Sequence, residues 1–131
     1  MNTLNRLLEK QQPIIYGDGE QTRDFTYVAN VVDGVLRAVD ADAKKVAGEV
    51  INVATGGRIS LNELLRVMNR IVGATIEPIY EDARAGDVRD SQADISKARQ
   101  LLGYEPHVGL EEGLRRTLAW CREESAAATR R

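Results

Sequence analysis

At 131 residues, with 43% hydrophobic and 29% charged residues, the chain has the size and composition of one globular domain and excludes a disordered one. The net charge of −2 lacks the basic excess of a chain-wide nucleic-acid footprint, and the apolar runs are too short to span a membrane. One cysteine, Cys121, and one histidine, His107, exclude an intrachain disulfide and a Cys/His metal set.

The first segment, Met1 to Gln12, repeats Leu4, Leu7 and Leu8 at helical spacing and is stopped by Pro13. Ile14-Ile15-Tyr16 then reads as a short buried strand. It breaks into Gly17-Asp18-Gly19-Glu20-Gln21-Thr22-Arg23, a glycine-punctuated polar loop. From Val28 to about Asp40, Val31, Val32, Val35, Leu36 and Val39 follow one helix face, with Asn30 placed as an N-cap. Glu49 to Ala54 reads as a strand, and Thr55-Gly56-Gly57-Arg58 as a turn. Ser60-Leu61-Asn62-Glu63 is a capping box that opens a helix through Ile71, closed by Gly73. Thr75 to Tyr80 reads as an edge strand, because Pro78 cannot donate to a central ladder.

A charged loop, Glu81 to Gln92, carries Arg84-Ala85-Gly86-Asp87-Val88-Arg89. Asp94 caps a helix to Leu102 that Gly103 ends. A last helix runs from Leu110 to about Cys121, with Leu114, Leu118 and Trp120 as core and Cys121 as a packed thiol. Ser125 to Arg131 is expected to fray. The pattern is mixed α/β with more helix than strand, no internal repeat, and helix faces that want a partner the chain does not supply.

Two arginine-bearing loops each follow a strand, as ligand-binding loops do. Arg23 and Arg84 converging on one diphosphate would balance its charge through planar guanidinium forks. Asp87 would accept from sugar hydroxyls. The same residues also read as a solvated ion-pair network of little energetic weight, and spacing alone does not decide between the two. No GxGxxG turn leads from strand to helix, no P-loop follows Thr55-Gly56-Gly57, no Tyr-x-x-x-Lys is present, and no general base stands beside a nucleophile.

The order of five segments carries more. Tyr16 to Val28 (YGDGEQTRDFTYV), Asn52 to Leu64 (NVATGGRISLNEL), Arg84 to Arg89 (RAGDVR), Ala93 to Ala98 (ADISKA) and Leu102 to Pro106 (LGYEP) stand in sequence. Together they resemble the C-terminal part of extended short-chain dehydrogenase/reductases, the NAD-dependent nucleotide-sugar epimerase/dehydratase family, over about Met1 to Glu124. The resemblance leans to UDP-sugar 4-epimerases acting on UDP-glucose or UDP-N-acetylglucosamine. Asn30, where most members carry Asp, and the Gly56 to Asn62 run support that leaning.

That resemblance implies an α/β fold in which residues 1–124 are the nucleotide-sugar-binding portion of an extended Rossmann-type enzyme, with 125–131 a tail. It implies Ile14 and Tyr16 at a uracil pocket, Arg23 and Arg84 on the diphosphate, Asp87 on ribose or sugar hydroxyls, and Ser91 nearby. Asp24, Phe25 and Tyr27 fall to loop architecture. The family's NAD-binding glycine turn and its catalytic Ser/Thr and Tyr-x-x-x-Lys set are expected upstream of Met1, so no catalytic residue is assigned here. The expected ligand is a nucleotide-diphosphate sugar, with a separately encoded Rossmann half as a partner, no nucleic acid, no membrane and a cytoplasmic location. A non-catalytic binding module and a dehydratase fragment stand as alternatives.

Overall fold

The computed structural model describes residues 3–128. Ten elements follow in order: α1 (Thr3–Leu8), β1 (Ile14–Tyr16), β2 (Thr22–Arg23), α2 (Val28–Asp40), α3 (Ala43–Val46), β3 (Ile59–Ser60), α4 (Leu61–Val72), β4 (Ile79–Glu81), α5 (Ser96–Leu102) and α6 (Leu110–Ala128). The strands form two small pairs. β1 and β4 run parallel, with Ile14 opposite Ile79, Ile15 opposite Tyr80 and Tyr16 opposite Glu81. β2 and β3 run antiparallel, with Thr22 opposite Ser60 and Arg23 opposite Ile59.

Two apolar cores hold these elements. In the first, Leu64, Leu65 and Met68 of α4 meet Leu7 of α1 and Ile15 of β1, with Leu110 and Leu114 of α6 packed alongside. Burying such side chains supplies roughly 1.5–3 kcal/mol each. In the second, Ala98 and Leu102 of α5 meet Ala54, Ile95 and Tyr104. Tyr104 is fully enclosed, and its hydroxyl donates to Ala54 O at 2.8 Å. Burial, before the charges of Asp33, Asp24 and Glu105, pushes its pKa above the ordinary 10.0.

Several local expectations hold in the structure. Ser60 Oγ accepts from Glu63 N at 3.2 Å at the start of α4, and Gly73 and Gly103 close α4 and α5. The Glu63 carboxylate accepts from Arg66, one turn along, which narrows the expected capping box to its Ser60 half. Asp94 accepts from Ser96 N and Oγ ahead of α5, and the Ser96 bonds hold its carboxyl below the usual carboxylate range. Cys121 is buried as a free thiol.

Others are corrected. Glu49 to Ala54 forms no strand, since no described segment pairs with it; Asn52 Nδ2 donates to Asp94 O and Tyr104 to Ala54 O instead. Of the expected Thr75 to Tyr80 strand only Ile79 and Tyr80 pair, and the strand runs on to Glu81. Upstream of it, the Asn69 side chain takes both the amide and the carbonyl of Ile76. Trp120 is 60% exposed rather than core. The last helix extends to Ala128, beyond the expected end near Cys121; the rest of the expected tail, residues 129–131, lies outside the described residues, as do Met1 and Asn2.

Asn30 is not the cap of α2. It lies inside the helix, fully buried; its Nδ2 donates to Val108 O at 2.8 Å, and its Oδ1 accepts from His107 N and Val108 N. One turn on, Gly34 faces Val53, where a Cβ would stand 2.5 Å from Val53 Cγ1. The side of α2 that meets the rest of the chain is thus polar and small, and its apolar side points outward.

Candidate functional site

The two arginine-bearing loops meet. Gly17 N donates to Glu81 O, Thr22 N to Arg89 O and Ser91 N to Thr22 O, so main-chain bonds stitch the β1–β2 loop to the segment after β4. Thr22 Oγ1 adds a 2.6 Å bond to Asp90. Arg89 Nη1 reaches both Asp18 carboxylate oxygens, at 2.8 and 2.9 Å. A bond from Glu20 N, then Arg89, holds the Asp18 carboxyl below the usual carboxylate range. Parallel pairing of β1 with β4 brings this about, because both strands deliver their following loops to the same end.

The glycines of the first loop serve this packing. Gly19, at φ +75°, lies against the Asn62 side chain, and a Cβ there would sit 2.1 Å from Asn62 Oδ1. Asn62 Nδ2 donates to Asp18 O and to Glu20 Oε1, and Asn62 Oδ1 accepts from the Tyr80 hydroxyl. The loop therefore rests on the first turn of α4.

Where the loops meet is a cleft of about 390 Å³ whose walls include Ile14, Tyr16, Gln21, Arg84 and Asp87. A turn from Arg84 to Asp87, closed by Asp87 N on Arg84 O, places both side chains at one spot, with Gly86 at φ +81° supplying the left-handed residue. Arg84 lays its guanidinium 3.7 Å from the centre of the Tyr16 ring. Arg23 reaches in from β2: its Nη2 donates to Asp87 Oδ1 at 2.6 Å and its Nη1 to Thr22 O at 2.7 Å. Four of the five candidate residues line one cleft, and the fifth, Arg23, is joined to it through Asp87. Ser91 lies in the stitch to β2, with its amide rather than its hydroxyl engaged.

Asp24, next to Arg23, accepts from Thr55 N and Oγ1 and from Gly56 N, which ties the turn before β3 to the end of β2. That agrees with an architectural role. Gln21 is a residue that the pattern of the sequence did not single out. It is buried, donates from Nε2 to Tyr16 O at 2.6 Å, and leaves Oε1 without a hydrogen-bond partner among the described residues. A lone glutamine between glycines and an arginine carries no spacing signal that would have marked it.

Chemically the cleft offers the Arg84 guanidinium, one carboxylate, one aromatic ring and a buried amide, with the Arg23 guanidinium beside it on Asp87. The residues present do not fit a dinucleotide. The Gly17–Gly19 loop leads into the two-residue strand β2 rather than a helix N-terminus, and Asn62 fills the space at Gly19. Among the described residues no group of His, Cys, Asp and Glu is placed to hold a metal, and no helix is long and apolar enough to cross a membrane.

The cleft lies at the ends of the parallel strands of an α/β chain. Residues 1–117 match the family described as GDP-mannose 4,6 dehydratase, and the chain belongs to it, among the NAD-dependent nucleotide-sugar epimerases and dehydratases. It is 40% identical over 116 residues to UDP-glucuronate 4-epimerase of Thermodesulfobacterium geofontis, covering 87% of this chain and 35% of that one. Among solved structures, it resembles UDP-glucose 4-epimerase of Thermotoga maritima with UDP-glucose, at TM-score 0.85 and 40% identity over 92% of this chain and 38% of that one. It likewise resembles UDP-glucuronic acid 4-epimerase of Bacillus cereus in complex with UDP-glucuronic acid and NAD, at TM-score 0.86 and 32% identity, with the same coverage of 92% and 38%. Its relatives thus include UDP-sugar 4-epimerases, and UDP-glucuronic acid decarboxylases are also among them. The chain spans little more than a third of the length of the relatives it matches.

Proposed function

We propose that residues 1–124 are the substrate-binding, C-terminal portion of an NAD-dependent UDP-sugar 4-epimerase of the UDP-glucose or UDP-N-acetylglucosamine type. The portion holds a nucleotide-diphosphate sugar and does not transform it alone. The observation that carries this reading is that Tyr16, Arg84 and Asp87 line one cleft and Arg23 is bonded to it through Asp87, although the two segments lie more than sixty residues apart. In it Ile14 and Tyr16 flank the base, Arg23 and Arg84 take the diphosphate, and Asp87 accepts from hydroxyls. NAD belongs to a dinucleotide-binding half that these residues do not provide.

Calorimetric titration with UDP tests the reading. Binding is expected for the intact chain, and Arg23→Ala is expected to lose ~1.5–3 kcal/mol, the worth of a hydrogen bond to a charged group. Equal affinity of the variant would remove Arg23 from the site. Incubation with UDP-glucose and NAD is expected to give no UDP-galactose; turnover would overturn the separation of binding from chemistry.

The outward apolar stripe of α2 supports a second element of the proposal, a separately supplied dinucleotide-binding half as partner. Val28, Val32, Val35, Leu36 and Val39 are each at least half exposed, and Val28 also borders a groove with Trp120. Trp120 is the only tryptophan, so its emission reports on that surface. Adding the dinucleotide-binding half of a relative is expected to shift Trp120 emission to the blue; an unchanged spectrum at saturating partner would argue against docking there.

A further inference from the structure

Both candidate cations, Arg84 in the cleft and Arg23 beside it, are already occupied by groups of the chain itself. Arg84 lies on the Tyr16 ring, and Arg23 is closed on Asp87 at 2.6 Å. The rest of the Arg23 fork is anchored, because Nη1 donates to Thr22 O at 2.7 Å and leans on Arg89 O at 3.4 Å. The Asp87 contact is the exchangeable one. Its carboxylate hangs from the Gly86 turn, and its side chain is 41% exposed against 26% for Arg23.

An anion that takes Arg23 must displace Asp87 and then remain beside it. A displaced carboxylate is an acceptor without a donor, next to a new negative charge. Inorganic pyrophosphate brings further acceptors and nothing to satisfy Asp87. A diphosphate ester of a sugar brings hydroxyl donors within a few bonds of the same phosphorus, so it relieves what it displaces.

We infer that Asp87 is a specificity-determining residue: an internal counter-ion on Arg23 that rejects inorganic phosphates and yields to diphosphate esters bearing hydroxyls. This rests on the reading of the cleft as a diphosphate site and adds to it the discrimination among anions. Arg23 and Asp87 then act as one device, with the ion pair as the closed state and a two-part ligand as its key.

The test is calorimetric titration of UDP and of inorganic pyrophosphate into the intact chain, Asp87→Asn and Asp87→Ala, with circular dichroism to confirm that each variant is folded. The intact chain is expected to prefer UDP. Both variants are expected to bind pyrophosphate about fivefold more tightly, the upper worth of a partly exposed ion pair, while UDP gains nothing. The preference for UDP then shrinks by at least that factor. If UDP binds the intact chain but neither variant binds pyrophosphate more tightly than the intact chain does, Asp87 is no competitor and this inference fails while the cleft stands. If UDP does not bind the intact chain, the cleft reading fails and the inference goes with it.

Discussion

α4 and α2 are helices of nearly equal length, 12 and 13 residues, and both are amphipathic, yet the chain uses them in opposite senses. α4 turns its apolar stripe inward, burying Leu64, Leu65, Val67 and Met68. α2 buries Asn30 and Gly34 and leaves Val32, Val35, Leu36 and Val39 at least half exposed. The difference separates two parts of the molecule. Around α4 the chain completes its own core; around α2 it leaves an apolar face exposed. A chain that spans about a third of its relatives is expected to have such a face. The order of local contacts explains how α2 still folds in place: Asn30 holds the 107–108 backbone, and Gly34 admits Val53 closely.

The contrast sets the expected cost of substitutions. Leu65→Ala, which empties part of the α4 core, is expected to cost about 2–5 kcal/mol in urea unfolding; a loss under 1 kcal/mol would mean that α4 is not the organising helix. Asn30→Ala strips a buried backbone corner of its partners, with an expected loss of about 1–3 kcal/mol. If the loss is negligible, α2 is held by something other than its polar face.

Tyr104→Phe removes one buried hydroxyl bond and is expected to cost about 1 kcal/mol. The same residue makes the second core sensitive to alkali. Its folded pKa is raised, so its contribution is fully present below the ordinary tyrosine value of 10.0 and is lost as pH rises through the raised folded value. Chemical denaturation followed from pH 8 to 11 should show wild-type stability falling above pH 10, and less of that fall in Tyr104→Phe. Parallel curves would take Tyr104 out of the alkaline transition. The smallest effect belongs to the outward stripe: Val35→Ser is expected to change stability by about 0.5 kcal/mol or less while reducing binding of a hydrophobic dye. A large destabilisation would show that the α2 stripe is already covered within this chain.

By itself the sequence determined the elements with strong local signals. Ile14 to Tyr16, the Val28 to Asp40 helix, the Ser60 start of α4 and the glycine ends of α4 and α5 follow from periodicity and capping, which act within a few residues. The sequence also offered two arginines and an aspartate, residue types that suit an anion and a hydroxyl, as candidates without deciding that they meet. Tertiary structure decided what depends on distant partners. Glu49 to Ala54 has strand composition but no neighbouring strand among the described residues to complete its hydrogen bonds, so it remains unpaired and is pinned by Asn52 and Tyr104. Asn30 looked like a cap because polar residues near helix starts usually are; only the proximity of Val108 made it a buried clamp. The meeting of Arg23 with Asp87, 64 residues later, followed from the parallel pairing of β1 with β4, a long-range contact that no local pattern encodes.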